Sequence, residues 1–128
     1  MERYKETFDA KRPRIVSFAE FSDGAQNVDP ATKTITVHFD REMEGQGYSL
    51  TYGPKGPEHY PKIDSLRYTD DKCSIILDVQ LEPGKEYEMV FLGLAFKSTD
   101  GIPLDNYTLD FTTGQQVAGQ QVEPSAPF

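Results

Sequence analysis

The chain has 128 residues, with 13 basic and 21 acidic side chains for a formal net charge of -8, and hydrophobic residues make up 37% of it. That length suits one domain with tails. The acidic balance and the scattered lysines and arginines exclude a nucleic-acid binder with its basic stripe, and they disfavour docking to anionic lipid. A single cysteine, Cys73, rules out an internal disulfide, and the lack of tryptophan removes the core of an antibody-type sandwich.

In chain order, residues 1–12 are charged and read as a linker or N-terminal extension. They are too polar for a signal peptide, which leaves a cytoplasmic protein or an excised module as the two readings. Pro13 stops any helix and favours extended structure beyond it. Arg14 to Phe21 reads as a first strand, with Ile15, Val16 and Phe18 apolar. Ser22 to Lys33 is dense in turn formers. In TITVHFD, Ile35, Val37 and Phe39 alternate with polar residues, the pattern of a half-buried strand. Arg41 to Gly47 is a turn from which Met43 can fold back onto the core.

Tyr48 to Tyr52 is predicted to be a further strand. Gly53 to Lys62 is rich in proline and glycine and reads as a loop or an edge. Ile63 to Thr69 is a weaker strand. After the Asp70-Asp71-Lys72 turn, Cys73, Ile75, Leu77, Val79 and Leu81 share one face, which predicts a buried, inert thiol at Cys73. Lys85 to Phe96 is the longest strand-like run. Ser98 to Gly101 is a turn, and Pro103 keeps the next segment irregular. Tyr107 to Thr113 closes the pattern, with Tyr107, Leu109 and Phe111 facing one way. The tail 114–128 has too few apolar residues to offset its ordering entropy and is expected to be disordered. About seven short strands with turn signals between them predict an all-β sandwich over residues 13–113. No run is long enough to span a membrane.

The most informative stretch is Leu81-Glu82-Pro83-Gly84-Lys85-Glu86-Tyr87. In a sandwich the chain must leave one sheet and enter the other. Pro83 and Gly84 supply the bend, and Tyr87 enters the core with its hydroxyl still needing a partner. A bond back to backbone a few residues upstream would pin that corner. Tyr87, Leu81 and Gly84, with the core residues Phe39 and Phe111, are therefore expected to be structural.

This L-x-P-G-x-x-Y stretch resembles fibronectin type III and bacterial Ig-like domains. Other pieces narrow the resemblance to the bacterial modules: Arg12 to Ser17, Asp23 to Pro30, Ile35 to Met43, Asp100 to Leu104, and Phe111 to Thr113. The resemblance implies an Ig-like Greek-key sandwich. It also implies an extracytoplasmic module of a larger secreted or cell-surface protein, whose partner is a neighbouring domain of that protein. It carries no catalytic residue. The segment from Gly47 to Tyr68 is longer than the usual loop at that place.

A search for chemistry returns little. His38 and Asp40 share an outward strand face and are the one candidate dyad; an enzyme would need them to converge with His59. No zinc-protease, nucleophile-elbow or phosphate-loop motif occurs. The loop acids Asp23, Asp29, Asp70, Asp71 and Asp100 lack the spacing of an EF-hand, and turn chemistry accounts for them without metal. No metal site or cofactor is expected. Asn106-Tyr107-Thr108 fits the glycosylation pattern by chance. The remaining candidates are Tyr48, Tyr52, Tyr60 and Tyr68, four of seven tyrosines. They either pack beneath the long loop or form a face that binds a glycan or a protein ligand.

Overall fold

The computed structural model describes residues 11–115; the expected linker and tail fall almost wholly outside the described residues. Seven strands are present: β1 Ile15–Phe18, β2 Thr34–Phe39, β3 Leu50–Thr51, β4 Lys62–Tyr68, β5 Ser74–Gln80, β6 Glu86–Phe91 and β7 Tyr107–Thr112. They form two sheets, β1-β2-β5-β4 and β3-β6-β7, and every pairing between neighbouring strands is antiparallel. This strand order is that of the constant-type Ig sandwich. Each expected strand exists, though several are shorter than predicted.

The alternation in β2, β5, β6 and β7 exists because one face of each is buried. Ile35, Val37, Ile75, Leu77, Met89, Phe91 and Leu109 are fully enclosed between the sheets. Tyr87 stacks on Phe111 at 5.2 Å between ring centroids, and Phe21 tilts against Phe111 at 4.5 Å. Met43 folds back into this core and is fully buried.

The departures have local causes. In β1, a register shift between Ile15 and Ser17 turns Val16 out of the pairing, and it is 58% exposed rather than part of an apolar face. In β4, a second shift between Ile63 and Ser65 lets Ile63, Leu66 and Tyr68 all face inward, although Ile63 and Leu66 are three positions apart. The run from Lys85 to Phe96 is not one strand. β6 stops at Phe91, and Gly93–Ala95 forms a 3₁₀ turn. Phe96 then drops into the core, where it meets Phe91 at 5.9 Å and Phe39 at 6.3 Å. Beyond Phe91, Phe96 thus serves core filling rather than strand extension, while Leu94 is exposed.

Gly24 to Val28 runs alongside β7 on its outer edge. Gly24 N donates to Asp110 O at 2.7 Å, Thr112 N to Ala25 O at 3.0 Å, Val28 N to Thr112 O at 3.0 Å, and Gly114 N to Val28 O at 2.9 Å. Val28 bridges Thr113 in parallel. This edge of the three-stranded sheet is therefore covered by the chain itself.

The entry of the chain is held as well. Arg41 Nη1 donates to Lys11 O at 2.7 Å, and its other nitrogens grip Asp40 at 2.8 and 2.9 Å. Arg12 Nη1 reaches Pro103 O at 3.0 Å, and Pro13 is fully buried. The guanidinium of Arg41 holds the Asp40 carboxyl below the usual carboxylate range.

Candidate functional site

The crossover from β5 to β6 carries the geometry on which the sequence reading rested. Tyr87 is 2% exposed, and its hydroxyl accepts the Glu82 backbone N–H at 2.8 Å. Gly84 has φ of 63°, in the left-handed region that an L side chain enters with strain. Its N–H donates to Gly114 O at 2.7 Å. Leu81 is half-buried against the core, and Phe39 and Phe111 are buried within it. Thr113 was not singled out in the sequence, yet it locks the same corner. Its hydroxyl accepts Lys85 N at 2.9 Å and donates to Glu82 O at 2.5 Å, and the residue is 2% exposed. Its place at the end of an alternating strand was the available signal.

The four tyrosines separate into two kinds. Tyr48 and Tyr52 are 56% and 50% exposed, whereas Tyr60 and Tyr68 pack partly against the core. Tyr48 and Tyr60 line a common cleft of about 390 Å³ with Leu50, Ile63, Leu66, Ser49, Asp64 and Ser65. The cleft lies between β3 and β4, at the edges of the two sheets. Tyr52 and Tyr68 are not in its lining. Tyr68 instead donates its hydroxyl to Gly47 O at 2.6 Å, tying β4 to the segment ahead of β3.

Burial, with a smaller contribution from the Glu44 charge, pushes the Tyr68 phenol up to about 12. An unfolded tyrosine ionises near pH ~10. The folded pKa is raised, so the neutral phenol is favoured by folding. Its contribution is complete below the unfolded value and lost as pH rises towards the folded one. Tyr68→Phe is expected to cost about 1 kcal/mol at neutral pH by leaving the Gly47 carbonyl without this donor. It should also flatten the loss of stability through the alkaline range, as read by denaturant unfolding at stepped pH. A slope equal to that of the unsubstituted chain would refute this role. Tyr107, whose phenol is also pushed to about 12 by burial and by its bond to Asp23, keeps part of the slope in the variant.

The long loop has its own fit. It crosses the outer face of β6, where Lys55 N donates to Glu88 Oε1 at 2.9 Å. Lys55 Nζ pairs with Glu86 at 3.0 Å and Asp110 at 3.3 Å. The His59 Nδ1–H donates to Glu86 O at 2.8 Å. Glu88 points away from the core but is only 6% exposed because the loop lies over it. Burial of an outward-facing residue depends on a distant segment and leaves no trace in strand alternation.

The candidate catalytic groups do not converge. His38 Nδ1 is 2.8 Å from Ser74 Oγ on the four-stranded sheet, while Asp40 is engaged by Arg41 and by Arg14 N. His59 is bound to β6 of the other sheet. Cys73 is half-buried rather than buried, because it precedes β5 and lies outside the inward-facing set. Burial and the nearby Asp71 and Glu42 charges raise its thiol pKa, which lowers its thiolate fraction. Two of the loop carboxylates are spent on turns and a third on β7: Asp29 caps Ala31 N at 2.9 Å, Asp71 accepts Cys73 N at 3.0 Å, and Asp23 accepts the Tyr107 hydroxyl at 2.7 Å. Among the described residues no three or more histidine, cysteine, aspartate or glutamate side chains group to hold a metal ion.

Comparison with known proteins agrees with this architecture. No curated protein matches the chain. Among solved structures, the S-layer protein rSbsC matches with a TM-score of 0.54 and 21% identity, covering 91% of this chain and 16% of that one. The N-terminal part of the bacterial S-layer protein SbsC matches with a TM-score of 0.54 and 21% identity, covering 88% of this chain and 26% of that one. The likeness is one of fold, and this chain spans a small part of each of those proteins. A family model described as bacterial Ig-like domain matches residues 9–113. With two antiparallel sheets in Ig order joined at the Tyr87 crossover, the chain belongs to the bacterial Ig-like domain family.

Proposed function

We propose that this domain is a non-catalytic accessory module of a larger bacterial secreted or cell-surface protein. In this reading it holds a neighbouring domain at a set distance and orientation. The observation that carries it is family membership over residues 9–113, in a fold where Arg41, Glu88 and His59 are engaged in holding the chain entry and the long loop. The likeness to stretches of much longer S-layer chains supports a place among other domains. The clamps on Lys11 and Arg12 support a chain that enters the domain in a fixed direction.

The test is made on intact cells carrying the parent gene with an epitope beside this domain. External protease should remove the epitope while a cytoplasmic control survives. Protection until lysis would overturn the extracytoplasmic reading. A hydrolase or transferase activity in the purified domain, abolished by His38→Ala, would overturn the non-catalytic one.

A further inference from the structure

The cleft between β3 and β4 remains unused by the positioning role. Leu50, Ile63 and Leu66 give it apolar lining, and Tyr48 and Tyr60 line it as well. Ser49, Asp64 and Ser65 give its lining hydroxyl and carboxylate oxygens; Ser65 donates its own proton to Asp78, so its oxygen serves as an acceptor. Asp64 already accepts the Gln80 amide at 2.9 and 3.2 Å, and a carboxylate with that bond still has acceptor positions to offer. The bond from Tyr68 to Gly47 O ties the two edges together, so the opening is set before any ligand arrives. We propose that this cleft binds a neutral glycan, with sugar faces stacked on Tyr48 and Tyr60 and sugar hydroxyls bonded along Ser49, Asp64 and Ser65.

Charge and edge chemistry select this occupant. Asp64 is the one charged side chain in the lining, with Lys62 Nζ 4.0 Å from its carboxylate as the nearest counter-charge, and the whole chain carries -8. An anionic polymer is repelled there, whereas an uncharged polyol is not. A peptide adding as a strand would need a continuous ladder of free backbone groups. β3 pairs over only two residues. β4 follows Pro61, carries Lys62 and Arg67, and is interrupted between Ile63 and Ser65. These are the features that blunt an edge against a further strand, and they disfavour a second copy of this chain equally. A sugar needs no ladder. It needs aromatic faces and short-range acceptors, which this cleft supplies. The larger cleft of about 490 Å³ near Lys33 and Asp78 lacks aromatic walls.

The experiment is an amide chemical-shift titration of the whole chain. Separate arms use short neutral oligosaccharides of glucose, of N-acetylglucosamine and of mannose, a sulfated oligosaccharide, and a short unstructured peptide. At least one neutral arm is expected to shift Ser49, Leu50, Asp64 and Ser65. Tyr48→Ala should weaken that binding about tenfold or more, and Tyr52→Ala, outside the cleft, should leave it within about twofold. Tyr48 is exposed, so its truncation leaves the core intact. The inference is overturned if no neutral arm shifts these residues. It is likewise overturned if the sulfated sugar or the peptide binds as well or better, or if Tyr48→Ala has no effect. Each of those results leaves the positioning role standing, because that role makes no use of the cleft.

Discussion

Replacing Tyr87 with alanine is expected to cost about 3–5 kcal/mol, the range for truncating a buried aromatic side chain. The ring is 2% exposed and stacks on Phe111, so its removal opens a cavity where the two sheets join. Tyr87→Phe keeps the ring and removes only the acceptor for Glu82 N. It should cost about 1–2 kcal/mol, since that amide then lies in a partly buried corner with no side-chain oxygen to meet it. The two variants thus separate ring packing from corner pinning. Denaturant unfolding of both, with slopes compared to the parent chain, measures the difference. An equal cost for both would mean that the hydroxyl carries the whole effect. A neutral Tyr87→Phe would reduce the corner to packing alone.

Gly93→Ala is expected to destabilise by about 3 kcal/mol or more, at the upper end for overpacking. A methyl group at this position would overlap the Leu104 carbonyl oxygen and the Asp105 carbonyl carbon. Both are backbone atoms and cannot rotate away. Gly93 N also donates to Asn106 Oδ1 at 2.7 Å, which holds the two segments together. Gly101→Ala is a useful contrast, because a methyl group there meets nothing within 4 Å. Its cost comes only from φ of 80° and should be about 1 kcal/mol. Thermal unfolding of the pair checks the ordering, and a Gly93 variant no less stable than the Gly101 variant would show that the loop yields. A domain of ordinary stability, about 5–15 kcal/mol, survives the second change far more readily than the first.

Strands with one buried face were legible in the sequence because burial writes itself as alternation. β2, β5 and β7 were read to within about two residues for that reason. The run after Phe91 misled because Leu92, Leu94 and Phe96 continue the apolar count. Leu94 is 77% exposed, and Phe96 reaches the core from a 3₁₀ turn rather than a strand. Tyr48 to Tyr52 reads as a strand by parity, but only Leu50 and Thr51 pair with β6. The Tyr87 corner was legible because proline and glycine dictate a bend at a known distance from the aromatic residue. The cleft was half legible. The tyrosines stood out as a group, but Tyr48 meets Tyr60 only because two sheet edges lie side by side, which no local pattern encodes. Glu88 under the loop was invisible for the same reason, and Thr113 showed only as the end of an alternating strand, since its bonds to Glu82 and Lys85 join segments distant in sequence.

The short segment from Gly24 to Val28 runs parallel to the last strand, one near the beginning of the described chain and the other at its end. Tension between the two ends therefore draws these strands along their lengths in opposite directions. The four hydrogen bonds between them lie across that direction and are strained together, where a hairpin peeled from its open end would lose its bonds one at a time. Once β1 has been drawn off β2, parting this pair is a shearing event rather than a peeling one.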